Sequence, residues 1–283
     1  MGVDQGTIRN RVRRFKQDGF LKEFYLGVNP SIFGLKIASL WFDVHPQSEK
    51  DNVKDKLCVL DQTLLVCDYL GPMLSTVFCY ESEADLKKTV RQITRMANSE
   101  DIVWQDRSFL PSKRSNLTPL DWRIIRSLQQ GDPSRKSFSL VAREAGSTTP
   151  TVKKRIEKLV EDGAIYLLAS MNLPALENFV PADLVVYYES SESRDKVNES
   201  LKEYLGDSLV FADLDDRRHG YFALALPGIA RIREIQSWSE KREGVESVRV
   251  SVLQDILSIR RFYDERVENS LAVPIKVTAR SRR

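Results

Sequence analysis

Residues 117–165 read LTPLDWRIIRSLQQGDPSRKSFSLVAREAGSTTPTVKKRIEKLVEDGAI. Thr118-Pro119-Leu120-Asp121 marks a helix start, with Thr118 as N-cap, Pro119 in the first turn and Asp121 beside the positive helix end. Leu120, Ile124, Ile125 and Leu128 fall at helical spacing and make one apolar face. Gly131-Asp132-Pro133 stops that helix. A second, short helix is expected over about Ser139–Ala145, presenting Leu140, Val141 and Ala145. Gly146 ends it, because glycine accepts the left-handed backbone that a sharp turn needs. A third helix, about Thr148–Glu161, gathers Val152, Ile156 and Leu159 on one side. Helix, short helix, tight turn, helix is the helix-turn-helix plan, and Asp162-Gly163 turns from it into a strand suited to a wing.

The end of this stretch occurs twice. Residues 2–30, GVDQGTIRNRVRRFKQDGFLKEFYLGVNP, align without a gap to residues 146–174, GSTTPTVKKRIEKLVEDGAIYLLASMNLP, at a constant offset of 144. Gly2, Thr7, Arg11, Asp18, Gly19 and Pro30 match Gly146, Thr151, Arg155, Asp162, Gly163 and Pro174. Apolar Ile8, Val12, Phe15 and Leu21 match Val152, Ile156, Leu159 and Ile165. A duplication at a fixed period is the first thing to settle in such a chain, because it sets the domain count.

Each copy continues with an α/β module. In the first, Ala38, Leu40, Phe42 and Val44 alternate with Ile37, Ser39, Trp41 and Asp43 along a strand. A helix near 48–60, strands near 64–70 and 73–80, a helix near 83–98 and a strand near 101–109 follow. The second module repeats the order: strand 182–189, helix 193–205, strands 208–214 and 219–226, helix 228–242, strand 245–253. The fold class is α+β: winged helix-turn-helix domains, each followed by a ferredoxin-like βαββαβ domain with its helices on one sheet face. Trp41, Trp104 and Phe109 make the other face costly to leave in water, so sheet-on-sheet packing is its expected cover. The boundaries are a partial winged helix-turn-helix over 1–34, a ferredoxin-like domain over 35–111, a linker over 112–116, a winged helix-turn-helix over 117–178, a ferredoxin-like domain over 179–263 and a basic C-terminal tail over 264–283.

Composition narrows the function. The 283 residues carry 43 Lys+Arg against 40 Asp+Glu, are 42% hydrophobic and 29% charged, and so read as a soluble globular chain. The net charge of +3 is small, but Arg9, Arg11, Arg13, Arg14, Lys16 and Lys22 crowd the first 23 residues, and local clusters decide anion binding. No apolar run reaches the roughly 18 residues a bilayer needs, which points to a cytoplasmic protein without a membrane partner. Cys58, Cys67 and Cys79 form no CxxC pair, so neither a disulfide scaffold nor a cysteine metal site is expected. His45 and His219 are the only histidines, and both read as surface turn residues. With no nucleophile triad, phosphate-cradling glycine loop or metal-ligand cluster, no cofactor and no enzyme activity are expected.

Helix-turn-helix followed by βαββαβ, together with the run Leu117–Ile165, resembles the leucine-responsive/asparagine (Lrp/AsnC, feast/famine) transcription regulators, especially their archaeal members. The resemblance covers nearly the whole chain, twice over. It implies double-stranded DNA as partner, an amino-acid-like effector, and dimerisation through the ferredoxin-like domains, here as an intrachain pseudo-dimer or a homodimer. Thr148, Thr149, Thr151, Lys153, Lys154, Arg155 and Lys158 lie off the apolar side of the third helix. Thr149, Lys153 and Lys154 are placed nearest the bases, and Thr148, Arg155 and Lys158 on phosphates, with pairing of Arg155 to Glu161 or Asp162 as the alternative. In the first copy, Arg9, Asn10, Arg11, Arg13 and Arg14 occupy the corresponding helix. Nothing there corresponds to Leu117–Ala145, because Met1 already aligns with Ala145. Burial of Ile8, Val12 and Phe15 would stabilise by roughly 5–9 kcal/mol, so these residues should find another partner. Either the sequence starts late, the reading favoured here, or this half-domain leans on another part of the protein. Asp215, Asp216, Arg217 and Arg218, in a hairpin loop, are candidates for holding a zwitterionic effector. The alternatives are a ligand-sensing or adaptor protein that has lost DNA binding, and an enzyme like the siroheme decarboxylases, which share this architecture.

Overall fold

The computed structural model describes residues 4–99, 102–107, 116–176, 178–214 and 218–272. In chain order the elements are α1 (Gln5–Gln17), β1 (Leu21–Val28), β2 (Lys36–Asp43), α2 (Lys50–Cys58), β3 (Thr63–Tyr69), β4 (Met73–Tyr80), α3 (Glu83–Ala97) and β5 (Ile102–Arg107). There follow α4 (Pro119–Gln129), α5 (Phe138–Ala145), α6 (Thr149–Glu161), β6 (Ile165–Met171), β7 (Val180–Tyr188), α7 (Arg194–Leu205), β8 (Leu209–Asp213), β9 (His219–Leu226), α8 (Ile229–Glu240), β10 (Val245–Ser258) and α9 (Arg260–Ala272). They sort into two units. One takes the described parts of 1–22, 36–109 and 170–259, and the other those of 23–35, 110–169 and 260–283.

In the first unit the two βαββαβ modules have the same strand order. The sheet runs β5-β2-β4-β3-β10-β7-β9-β8, so each module orders its strands fourth, first, third, second, with antiparallel neighbours. This is the ferredoxin-like arrangement. Strand alternation sends Leu40 and Phe42, with Leu74 and Phe78, against Val53 and Leu57 of α2 and Leu86 and Ile93 of α3. Leu184, Val186, Phe222 and Leu224 pack likewise on Val197 and Leu201 of α7 and Ile235 of α8. The opposite faces meet in a third cluster, in which Trp41, Tyr69 and Met73 of the first module pack with Val185, Tyr221 and Leu253 of the second. The phenol of Tyr69 donates to Asp183 Oδ2 at 2.5 Å, and Arg249 pairs with Asp43 at 2.6 Å. Burial, then the neighbouring Asp183 carboxylate, push the Tyr69 phenol well above its ordinary pKa, so it stays a donor.

The strand expected to stop at 253 runs 14 residues, to Ser258. Its first part pairs with β7, and Leu253 to Ser258 pair with β3 of the other module. One long strand therefore joins the strands of the two modules into one sheet. The helix and strand signals on either side were local, whereas this extension answers to an edge more than 180 positions away in the chain.

The second unit departs further from the sequence reading. The segment expected to be a basic tail from 264 is helical as far as Ala272, in α9, and residues 273–283 lie outside the described residues. Phe262, Tyr263 and Val267 of α9 are buried, Arg260 donates to the Gln129 carbonyl of α4, and Glu268 pairs with Arg126 at 2.9 Å. The charged residues of α9 masked three apolar side chains that give the helix a face to bury. The wing also differs: β1, from the first copy, and β6, from the second, form one two-stranded sheet. Gly27 of β1 lies under the Tyr166 ring of β6, where a Cβ would come 2.3 Å from the ring, so only glycine fits. The linker expected over 112–116 is, apart from Asn116, outside the described residues, as are Phe109 and the side chain of Trp104.

α1 forms over its expected span, capped by the Asp4 carboxylate accepting from Gly6 and Thr7. Its apolar stripe does not meet the expected partner. Ile8 remains 51% and Phe15 44% exposed, with the Phe20 ring edge-on to Phe15 at 5.6 Å. The matching Val152 and Leu159 of α6 are fully buried, on a helix packed against α4 and α5.

Candidate nucleic-acid interface

The helix-turn-helix is α4, α5 and α6. Thr118 and Asp121 form a capping box at the start of α4, and Ser137 caps α5 by accepting from Leu140 N–H at 3.3 Å. Gly146 has φ 65°, which makes the turn between α5 and α6. Val152 and Leu159 bury α6 against Ile124, Ile125 and Leu128 of α4 and Val141, Ala142 and Ala145 of α5. At the turn, Lys136 pairs with Glu144 at 2.6 Å and donates to the Ser127 carbonyl at 2.5 Å, while Ser127 Oγ donates to Glu144 at 2.7 Å. These bonds hold the Glu144 carboxyl below the usual range and tie α5 to α4.

With its inner side fixed, α6 presents the rest. Thr148, Thr149, Thr151, Lys153, Lys154 and Lys158 are exposed. Thr148 and Thr151 share a hydroxyl hydrogen bond of 2.9 Å, and Lys153 lies 3.9 Å from Glu157. A helix N-terminus with exposed hydroxyls followed by two adjacent lysines suits an anion.

Arg155 is the exception. Its expected place on a phosphate, or beside Glu161 or Asp162, gives way to a bond across the domain. Nη1 donates to both oxygens of Asp121 at 3.0 and 3.2 Å and to Thr118 Oγ1 at 3.0 Å. The Asp121 side chain is fully buried. Burial pushes its carboxyl upward, but the hydrogen bonds from Thr118 and Arg155 outweigh that and leave it below the usual range. The cap of α4 and the middle of α6 are thus one polar cluster, and Arg155 sets the rotation of the helix that carries the lysines.

The wing brings in a residue that sequence reasoning missed. Asn29 is 2% exposed; its Nδ2 donates to the Gly163 carbonyl at 2.9 Å, and its backbone N–H to the Ala164 carbonyl at 2.9 Å. Its Oδ1 also accepts from Ser31 N–H at 3.0 Å. The signal available was Asn29-Pro30, a turn-starting pair; its partner 134 positions away left no local trace. Asn29→Ala is expected to lower stability by about 1 kcal/mol, by removing the partner of a half-buried carbonyl beside the α6 C-terminus. Thermal unfolding checks this, and an unchanged midpoint would deny Asn29 that part.

On α1, Arg9, Asn10, Arg11, Arg13 and Arg14 are all exposed, with Arg14 3.5 Å from Asp18 and Arg13 donating to Asn10 at 3.5 Å. Of the effector candidates, Asp215, Asp216 and Arg217 lie outside the described residues, and Arg218 is exposed, its carbonyl accepting from Tyr188 N–H. In the matching loop of the first module, Asp68 pairs with Lys50 at 2.6 Å and Lys54 at 2.9 Å, so its charge is already met. His219, expected at the surface, is 2% exposed, with Tyr187 5.7 Å and Trp41 6.3 Å away between ring centres. It sits at the start of β9 on the face the modules share, which a hairpin signal does not reveal. Among the described residues no group of three or more His, Cys, Asp or Glu could hold a metal, and no helix is long and apolar enough to cross a membrane.

The fold and this surface define a helix-turn-helix protein with paired ferredoxin-like modules. Residues 117–160 match the AsnC-type helix-turn-helix domain. The HTH-type transcriptional regulator Ptr1 of Methanocaldococcus jannaschii is 29% identical over 62 residues, 22% of this chain and 42% of that protein. Among solved structures, the siroheme decarboxylase NirDL aligns over 95% of this chain and 90% of its own, with 13% identity and a TM-score of 0.62. Its co-complex with an iron-uroporphyrin III analogue aligns over 95% and 89%, with 15% identity and the same TM-score. These two likenesses are likenesses of fold.

Proposed function

We propose that this protein is a sequence-specific DNA-binding transcriptional regulator of the Lrp/AsnC type, with α6 entering the major groove. The observation that carries the reading is the exposed set Thr149, Lys153 and Lys154 on a helix fixed from behind, inside the segment that matches the AsnC-type domain. These three meet base edges, and Thr148, Thr151 and Lys158 meet phosphates. Arg9, Asn10, Arg11, Arg13 and Arg14 of α1 belong to the same reading as a second basic helix. Fluorescence anisotropy on duplex from the gene's own upstream region, across a salt series, tests it. Tight binding that survives competitor DNA is expected, and binding no better than to random duplex overturns the reading.

The two ferredoxin-like modules take the place of two subunits within one chain, a reading supported by the shared strand β10 and the Tyr69–Asp183 bond. Sedimentation at the mass of one chain, 32.4 kDa, is expected, and an obligate dimer would count against it. An amino-acid-like effector at Arg218 and the three residues before it completes the proposal. Calorimetry with the twenty amino acids tests that part, and no heat from any of them removes it.

A second reading is favoured by the NirDL likeness and by buried His219 among Trp41 and Tyr187 on the shared face. On that reading the protein binds a tetrapyrrole, and visible absorbance copurifying with the chain separates it from the first.

A further inference from the structure

The duplication supplies a control for surface charge, because the two modules share one architecture. Over residues 86–99 the first module carries Lys87, Lys88, Arg91 and Arg95 and no acidic residue. The corresponding stretch of the second, 230–243, carries Arg231, Arg233, Lys241 and Arg242 with Glu234, Glu240 and Glu243. Two of its four cations are engaged. Arg231 pairs with Glu234 at 2.8 Å and lies over the Tyr204 ring, and Arg242 lies 4.0 Å over the Trp238 ring. The four cations of α3 are exposed, and the acids of that helix, Glu83 and Asp85, are confined to its first turn, leaving Arg91 and Arg95 without an acid three or four residues before them.

Lys88, Arg91 and Arg95 line one groove of about 470 Å³ together with Ala84, Gln92 and Met96. Their spacing keeps them on one side of the helix, and Lys88 to Arg95 spans about 10 Å of axis at 1.5 Å per residue. That is the rise of about three phosphates of one DNA strand at 3.4 Å each. Arg95, in the last turn, also favours the helix end, a reason that does not extend to Lys88 and Arg91. We propose that the outward face of α3 is a second, sequence-independent surface for the phosphate backbone of duplex DNA. The proposal rests on the DNA-binding reading of α6.

The full chain carrying Lys88→Gln, Arg91→Gln and Arg95→Gln tests it, against a charge-matched control, Lys202→Gln with Arg233→Gln and Lys241→Gln, on the second module. The dependence of log affinity on log salt is expected to become shallower by about 2–3 for the α3 variant, at roughly 0.9 per phosphate contact, and to stay unchanged for the control. The preference for specific over random duplex is expected to hold in both. Arg91→Lys with Arg95→Lys, which keeps the charge, is expected to keep the wild-type slope. Circular-dichroism melting accompanies each variant, since glutamine is nearly as good a helix former as lysine or arginine. An α3 variant with the control's slope overturns this inference while leaving α6 intact. A wild-type chain with no affinity for duplex overturns both.

Discussion

Replacing Asp121 with alanine is expected to destabilise the helix-turn-helix by about 1–3 kcal/mol, the cost of losing a buried carboxylate that accepts hydrogen bonds, because Arg155, about a third exposed, can turn to water. The carboxylate has two tasks. It accepts from Thr118 N–H at 2.9 Å and Thr118 Oγ1 at 2.7 Å, closing the first turn of α4, and it accepts the Arg155 guanidinium at 3.0 Å. Alanine removes both acceptors and leaves the guanidinium with Thr118 Oγ1 alone from this cluster. Arg155→Met on that background is expected to recover part of the loss, because the cation left behind is then gone too; additive effects would show that the two residues act separately. The pH dependence has a definite sign. The folded carboxyl ionises below its ordinary value of 3.8, so its contribution is complete above that pH and is lost as the pH falls through the lower folded value. The gap between wild type and Asp121→Ala in chemical unfolding should therefore be full near neutrality and narrow in strong acid. A gap that does not change with pH would mean that ionisation of Asp121 contributes nothing.

That cluster also shows where sequence reading stops. Thr118-Pro119-Leu120-Asp121 announced the start of α4, and Gly146, with φ 65°, announced the turn, because both signals are local steric and hydrogen-bonding facts. The period-2 pattern of Ala38, Leu40 and Phe42 announced β2 and the helix-facing side of its sheet. Asp121 was legible only as a cap. Its second partner, 34 residues on, is chosen by how α6 crosses α4, which no local pattern encodes. The same holds for Asn29 reaching Gly163, for β10 running on to the edge of the other module, and for β1 pairing with β6 across the repeat. The reading of the first copy as a partial head left Ile8 and Phe15 in need of another partner, and the basic tail expected from 264 gave the end of the chain no role. Instead the strand of the first copy and the last helix join the second copy's helix-turn-helix unit.

Lys153→Ala with Lys154→Ala carries the other large expectation, a loss of affinity for the specific site of about 10²–10⁴-fold with the fold intact. Both side chains are exposed on α6, so alanine, the best helix former, leaves α6 as stable as before or slightly more so. A good side-chain contact to a base edge is worth about 1–3 kcal/mol of discrimination, and two such contacts multiply. The ratio of specific to random binding should fall with the affinity, because lost base contacts remove information as well as charge. Lys158→Ala supplies the contrast from the same helix. As a phosphate contact it should weaken binding to every duplex alike and make the salt slope shallower by about 0.9. Arg155→Ala should differ from both, lowering stability along with affinity, since its guanidinium bonds to Asp121 and Thr118 rather than facing outward. The assignment turns on whether these three signatures separate. If the lysine pair merely reproduced the uniform weakening of Lys158→Ala, α6 would be gripping the backbone, and base reading would have to come from another element.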